Sequence, residues 1–179
     1  MQLRQELESI CNASGKPHEF VDDQVRAIEQ LKQKYAHEIE LHEAADRRAP
    51  YHNCFMYALG LPQDPILKWW QLGKVPGVKF VERLIESGIL KPVSNASGAP
   101  DRTILIYSDD TGRPVRAGIK LGDKVISKWG CGYSHTWKHP RLEAPASYGD
   151  AVTLYQPAEL AALVKEYAAF AQAQTGTDA

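Results

Sequence analysis

One stretch limits the fold more than any other: VRAGIKLGDKVISKWG, residues 115–130. Two runs of apolar and β-branched residues flank a Gly-Asp pair, the pattern of two antiparallel strands joined by a tight turn. A hairpin fixes its strands as neighbours, so the chain must contain an antiparallel sheet. Adjacent segments extend it. RTILIYSD (102–109) reads as a buried strand, DDTGRP as a turn, and AVTLYQ (151–156) as a last strand. CGYSHTWKHPRLEAPASYGD (131–150) and PVSNASGAPD (92–101) read as loops by composition.

Helices surround this sheet. PGVKFVERLIESGIL places Phe80, Val81, Leu84 and Ile85 on one face, and Gly88 is its stop. Residues 157–172 form a closing helix with Leu160, Leu163, Val164, Tyr167 and Phe170 along one stripe. Near the start, Val21, Val25, Ile28, Leu31, Tyr35 and Ile39 recur every three or four residues, which predicts one amphipathic helix over 20–45. The RRAP stretch should end it, because proline disfavours helix in the residue before it. The expected organisation is a helical N-terminal arm (1–48), an α+β domain (49–156) and a C-terminal helix with its tail (157–179). At 179 residues, 44% of them hydrophobic, the chain is long enough for one sizeable core.

Composition narrows the function. Basic and acidic residues are interspersed and the net charge is −1, which argues against nucleic acid or an anionic membrane as partner. No apolar run spans a bilayer and no secretory h-region opens the chain. Three widely spaced cysteines (Cys11, Cys54, Cys131) suggest reduced thiols, so the cytoplasm is the expected location, short of delivery by a specialised secretion route. The Asn-Ala-Ser sequons at Asn12 and Asn95 then carry no meaning. No CxxC pair or HExxH helix occurs, and Asp109-Asp110 is explained by a tight turn, so neither metal nor cofactor is expected.

The chemistry concentrates in YHNCFMYALG, residues 51–60. Asn53 is a helix N-cap, Cys54 begins a short helix, and Gly60 ends it. A thiol in a first helical turn faces unpaired N–H groups, which stabilise a thiolate and can receive an oxyanion. Cys54 is therefore either a nucleophile or a small buried residue, and spacing alone leaves both open.

HNCFMYALGL, then VRAGIKLGDKVISKWG, then HPRLEAPASYGD together resemble the papain-like cysteine hydrolases of the NlpC superfamily. The likeness is nearest to a bacterial and phage branch with an Asn-Cys-x-x-Tyr-Ala-Leu helix and a Ser-Lys-x-Gly strand, and it covers about 50–156. It implies an α+β, papain-like fold with the cysteine helix packed on an antiparallel sheet. It also implies a histidine opening the following strand and a third polar residue on the next. The activity implied is amide hydrolysis or acyl transfer on a peptide, with Cys54 as nucleophile and a peptidoglycan-like or related amide as substrate.

The histidine strand here reads PVRAGIK, so Arg116 stands where the resemblance calls for histidine. Arginine stays protonated and cannot act as a general base, although it can stabilise a nearby thiolate. The third position falls near Ser127 or Lys128. His139 and then His135, in the long loop, are the candidate substitute bases, with His52 third and each alternatively a loop histidine. Asn53, Trp129 and Trp70 are candidate substrate-binding residues, the tryptophans being alternatively core or lid. Two functions follow from different classes: a cysteine amidase or peptidase, or a degenerate papain-like module that binds a protein or peptide partner, which Arg116 favours. A third is an interaction protein working through the 20–45 helix.

Overall fold

The hairpin lies where the sequence places it. In the computed structural model, which describes residues 2–12, 17–45, 52–61, 76–94, 98–129 and 135–175, the elements run α1 (Gln2–Asn12), α2 (Pro17–Leu31), β1 (Glu40–Glu43), α3 (Cys54–Ala58), α4 (Val78–Glu86), β2 (Ile104–Ser108), β3 (Pro114–Leu121), β4 (Lys124–Lys128), β5 (Thr136–His139), β6 (Ala151–Tyr155) and α5 (Leu160–Thr175). Leu121 pairs with Lys124 across the Gly122-Asp123 turn. The six strands form one antiparallel sheet in the order β1-β5-β4-β3-β2-β6, so the chain is α+β with its cysteine helix against an antiparallel sheet.

Alternation along β2 sorts the core into two clusters. Ile104 and Ile106 join Ala117 of β3 under α3, α4 and α5, with Phe80, Leu84, Leu163 and Tyr167 fully enclosed. Leu105 and Tyr107 point the other way, to a cluster holding Leu7 of α1, Ile28 of α2, Trp129 and Trp137. Each fully buried aliphatic or aromatic side chain of this kind contributes about 2 kcal/mol. Helices thus cover both faces of the sheet.

Two sequence expectations change here. The helix expected over 20–45 ends at Leu31, and Glu40–Glu43 becomes a strand beside β5. The apolar spacing misleads because Tyr35 and Ile39 still reach the core from a turn and a strand approach: Ile39 is fully buried, and the Tyr35 hydroxyl donates to Glu6 at 2.7 Å. The N-terminal segment is consequently packed into the second cluster, with Leu7 and Ile28 at 0% exposure, and does not stand off as an arm. The stretch read as one long loop contains β5, whose Thr136, Trp137 and His139 are all buried. The expected boundary at 48/49 lies outside the described residues.

Two irregularities in the sheet prepare the site. Gly118 faces Val125 and Ser127 so closely that a Cβ would sit 2.6 Å from Val125 Cγ1 and 3.2 Å from Ser127 Cβ. Between β2 and β3 the register slips, since Tyr107 pairs with Arg116 but Ser108 pairs with Pro114. Val115 is the extra residue, and a bulge of this kind re-aims the side chains beside it. The outer strands end differently. β1 (Glu-Leu-His-Glu) is exposed at all four residues, whereas β6 is flanked by residues 91–93, through Val93 N–H to Leu154 O (2.8 Å), Gln156 N–H to Lys91 O (2.9 Å) and a bridge from Pro92 to Tyr155.

Candidate active site

Asn53 sets the position of Cys54. Its backbone is extended, its side-chain oxygen accepts from Met56 N–H at 2.9 Å, and its amide donates to the Pro76 carbonyl at 2.7 Å. The expected cap is therefore present and ties α3 to the segment leading into α4. Phe55, Met56 and Ala58 are buried against the sheet, so α3 presents Cys54 from a fixed frame.

Cys54 borders a cavity of about 430 Å³. Arg116 and Lys128 line it from the sheet, Tyr148 from the turn before β6, and Glu8 and Cys11 from α1. Lys128 is 1% exposed. Its cross-strand neighbour, one step beyond the Gly118–Ser127 pair, is Ala117 under α3, so its side chain shares the α3 face. Arg116 donates to the carbonyl of Val115 at 2.8 Å, and its guanidinium carbon sits 5.8 Å from the centre of the Tyr148 ring. The Tyr148 hydroxyl donates to Lys128 O at 2.9 Å, and burial pushes its pKa well above the ordinary tyrosine value. Gly149 follows with φ 76°, and a Cβ there would fall 2.2 Å from Ser108 O, so only glycine carries the chain past β2 at this point.

The α1 side is fastened deliberately. Arg4 donates to the carbonyls of Ala144 (3.2 Å) and Gly149 (2.7 Å) and pairs with Asp150. Glu8 accepts from Ser147 N–H at 2.9 Å. Burial opposes ionisation of Glu8, but the bonds from Ser147 and Asn12 and the Arg116 charge outweigh it and hold the carboxyl below its usual range. Burial also pushes the Cys11 thiol up to about 12, with the Glu8 charge acting in the same direction.

Neither candidate histidine is among the described residues that line this cavity. His139 is wholly buried, and desolvation lowers its pKa to about 4, so the ring is neutral. A carbonyl only accepts, so His139 Nδ1–H donates to Pro140 O (2.8 Å), and Nε2 accepts from the Ser127 hydroxyl (2.7 Å). Ser127 Oγ in turn accepts from Trp129 Nε1–H at 2.7 Å. His139 is thus a closed structural node. Trp129, a candidate substrate-binding residue with core as its alternative, is 0% exposed and stacks on Trp137 with centroids 5.5 Å apart. His135 Nδ1 accepts from Ala45 N–H at 2.9 Å and meets Trp137 edge-on. His52 stacks beside Tyr57 and lines a different cavity. Trp70 and Cys131 lie outside the described residues.

The structure therefore brings together Cys54, Asn53, Arg116 and Lys128. Glu8, Cys11 and Tyr148 join them without having been singled out for the site. Tyr148 carried a signal, since its Tyr-Gly step is part of the resemblance, but the α1 residues approach only through tertiary packing. Among the described residues no group of histidine, cysteine or carboxylate side chains is placed to hold a metal ion, and no helix is long and apolar enough to cross a membrane. The chain matches no protein-family model, no curated protein and no solved structure at a significant level.

Proposed function

We propose that the chain is a papain-like, NlpC-like module whose Cys54 cavity binds a carboxylate-bearing peptide and does not turn it over. One observation carries this reading: the cavity joins Cys54 to the Arg116 guanidinium and the buried Lys128, against the single carboxylate of Glu8, while the candidate histidines are engaged elsewhere in the fold. Amide hydrolysis by a cysteine needs a group that takes up the thiol proton and returns it to the leaving amine. A guanidinium cannot do this, but it binds a carboxylate in a bidentate, charge-assisted pair. Enclosure on several sides strengthens that attraction, because less water screens it.

The hydrolase remains the second reading, favoured by the opening of the Cys54 wall onto a cavity large enough for a peptide segment. In that mechanism Cys54 attacks the amide carbonyl, backbone N–H groups near it receive the oxyanion, and water resolves the thioester. In that reading Lys128, held neutral by its burial, would take the Cys54 proton and return it to the leaving amine. The two readings separate in one experiment. Acidic and neutral peptides and peptidoglycan fragments are presented to wild type, Cys54→Ala, Arg116→Gln and Arg116→His, and both binding and hydrolysis are followed. The binding module predicts saturable binding of acidic peptides that survives Cys54→Ala, falls in Arg116→Gln, and occurs without hydrolysis by wild type. Turnover by wild type that Cys54→Ala abolishes would overturn it in favour of the hydrolase.

A further inference from the structure

A second cavity, also of about 430 Å³, opens at the far end of α3 from Cys54. Glu43, His52, Tyr57 and Arg102 supply its polar lining, and Ile104 and Ile119 form part of an apolar floor. Arg102 is unusual. It is the third residue of a turn closed by Thr103 N–H to Pro100 O (3.3 Å), and its φ of 69° is the one positive value at a non-glycine among the described residues. Glycine or asparagine suits that position, and a long side chain there is strained. The backbone alone gives no reason for arginine.

Its surroundings do. Among the described residues, neither Arg102 nor Glu43 has an ion-pair partner, and both are exposed at the cavity rim. Both line the cavity together with Tyr57, whose pKa is raised mainly by burial, with Glu43 raising it further and Arg102 lowering it. The rings of His52 and Tyr57 lie 6.3 Å apart and 25° from parallel, forming an aromatic wall. A cation, an anion, an aromatic wall and an aliphatic floor thus converge on one space. A phosphate or dicarboxylate would meet the Glu43 charge, and a simple cation would meet Arg102. A zwitterion satisfies both.

We infer that this cavity binds a free amino acid or dipeptide with an apolar side chain, its carboxylate on Arg102, its ammonium on Glu43 and its side chain over Ile104 and Ile119. The inference does not depend on the Cys54 cavity. Its test is calorimetric titration of the full chain with leucine, phenylalanine and leucyl-leucine, and then with leucinamide and N-acetyl-leucine, which lack one charge each. Arg102→Gly is the informative variant, because glycine fits the backbone and the fold should keep its thermal midpoint or gain. Arg102→Asn serves as a second variant that also accepts positive φ. Saturable binding of at least one zwitterion is expected, with leucinamide at least tenfold weaker in wild type. Both Arg102 variants should weaken the zwitterion at least tenfold, and Glu43→Gln should weaken leucine but not N-acetyl-leucine. The inference is overturned if no zwitterion binds at millimolar concentration, if phosphate or succinate binds equally well, or if a folded Arg102 variant binds as wild type does.

Discussion

The Cys54 cavity and the His139 node are built from adjoining residues of the same strands, yet they hold their polar atoms in opposite ways. Ser127 and Lys128 are consecutive on β4 and alternate across the sheet. Ser127 turns into the node, where its hydroxyl both donates to His139 and accepts from Trp129. Lys128 turns towards α3 and lines the cavity with Cys54 and Arg116. In the node, donors and acceptors terminate in protein. In the cavity, Arg116 and Glu8 are also bonded to protein, but they border open space as well. The difference teaches that an imidazole beside a hydroxyl is not thereby a catalytic pair: once Nδ1 is committed to Pro140 O and the ring is sealed, the group organises packing.

The largest expected effect lies on the cavity side, in thiol labelling of Cys11 and Cys54. With its pKa pushed up to about 12, Cys11 is ionised to roughly one part in ten thousand at pH 8, against roughly a tenth or more for an ordinary cysteine. Iodoacetamide should therefore modify Cys11 about a thousandfold more slowly in the folded chain than in urea, with Cys54 modified first. Peptide mapping over time reads this out. Equal rates for Cys11 and Cys54 in the folded protein would mean that the cavity does not set its two thiols apart.

The node itself comes next. His139→Ala should cost about 3 kcal/mol in urea unfolding, since it empties a buried site and strands the Ser127 hydroxyl and the Pro140 carbonyl. The same residue gives a pH signature. Its pKa is about 4 when folded and ordinary, near 6.5, when unfolded, so the unfolded chain binds the extra proton first. The stability it contributes is complete above 6.5 and is lost as pH falls from 6.5 to about 4, by about 3 kcal/mol in all. His139→Gln should flatten that part of the pH–stability curve. A wild-type curve already flat there would mean that the ring is not sealed.

Smaller effects sharpen the cavity side. Arg116→Gln should weaken acidic-peptide binding about tenfold, or about 1.4 kcal/mol, and lower the thermal midpoint by no more than about 4 °C. A loss confined to stability would make Arg116 a packing residue. Asn53→Ala should cost about 1 kcal/mol by removing the cap on Met56 N–H. If it leaves chemical stability unchanged, α3 is held by its apolar face alone.

Local patterns carried much of this into the sequence. The β3–β4 hairpin, the strands at Ile104–Ser108 and Ala151–Tyr155, the Asn53 cap and the helix at Val78–Glu86 all rest on neighbours in the chain, and each was legible. β1 and β5 were not. Each has four residues, and their pairing joins Glu40 to Lys138 across almost a hundred positions, a distance at which periodicity says nothing. The same limit governs the site. Cys54 could be named from its place in a first helical turn, and Arg116 and Lys128 from the strand positions that the resemblance marks. His139 and Trp129 stood as candidates for chemistry because their burial is a tertiary property that local pattern does not show. Glu8 and Cys11 reach the cavity through tertiary contacts of α1, among them Arg4 to carbonyls some 140 residues away and Glu8 to Ser147 N–H.

The two borders of the sheet bear on how copies of this chain meet one another at high concentration. A bare strand edge is a template on which a second molecule can add its own strand and so begin a filament. On one side such an incomer would have to bring its backbone alongside Glu40 and Glu43, desolvating a row of carboxylates. On the other it would meet the residues flanking β6, where Pro92 offers no N–H to pair with. Among the described residues, strand-by-strand growth is therefore disfavoured at both borders of the sheet, by charge at β1 and by a missing donor beside β6.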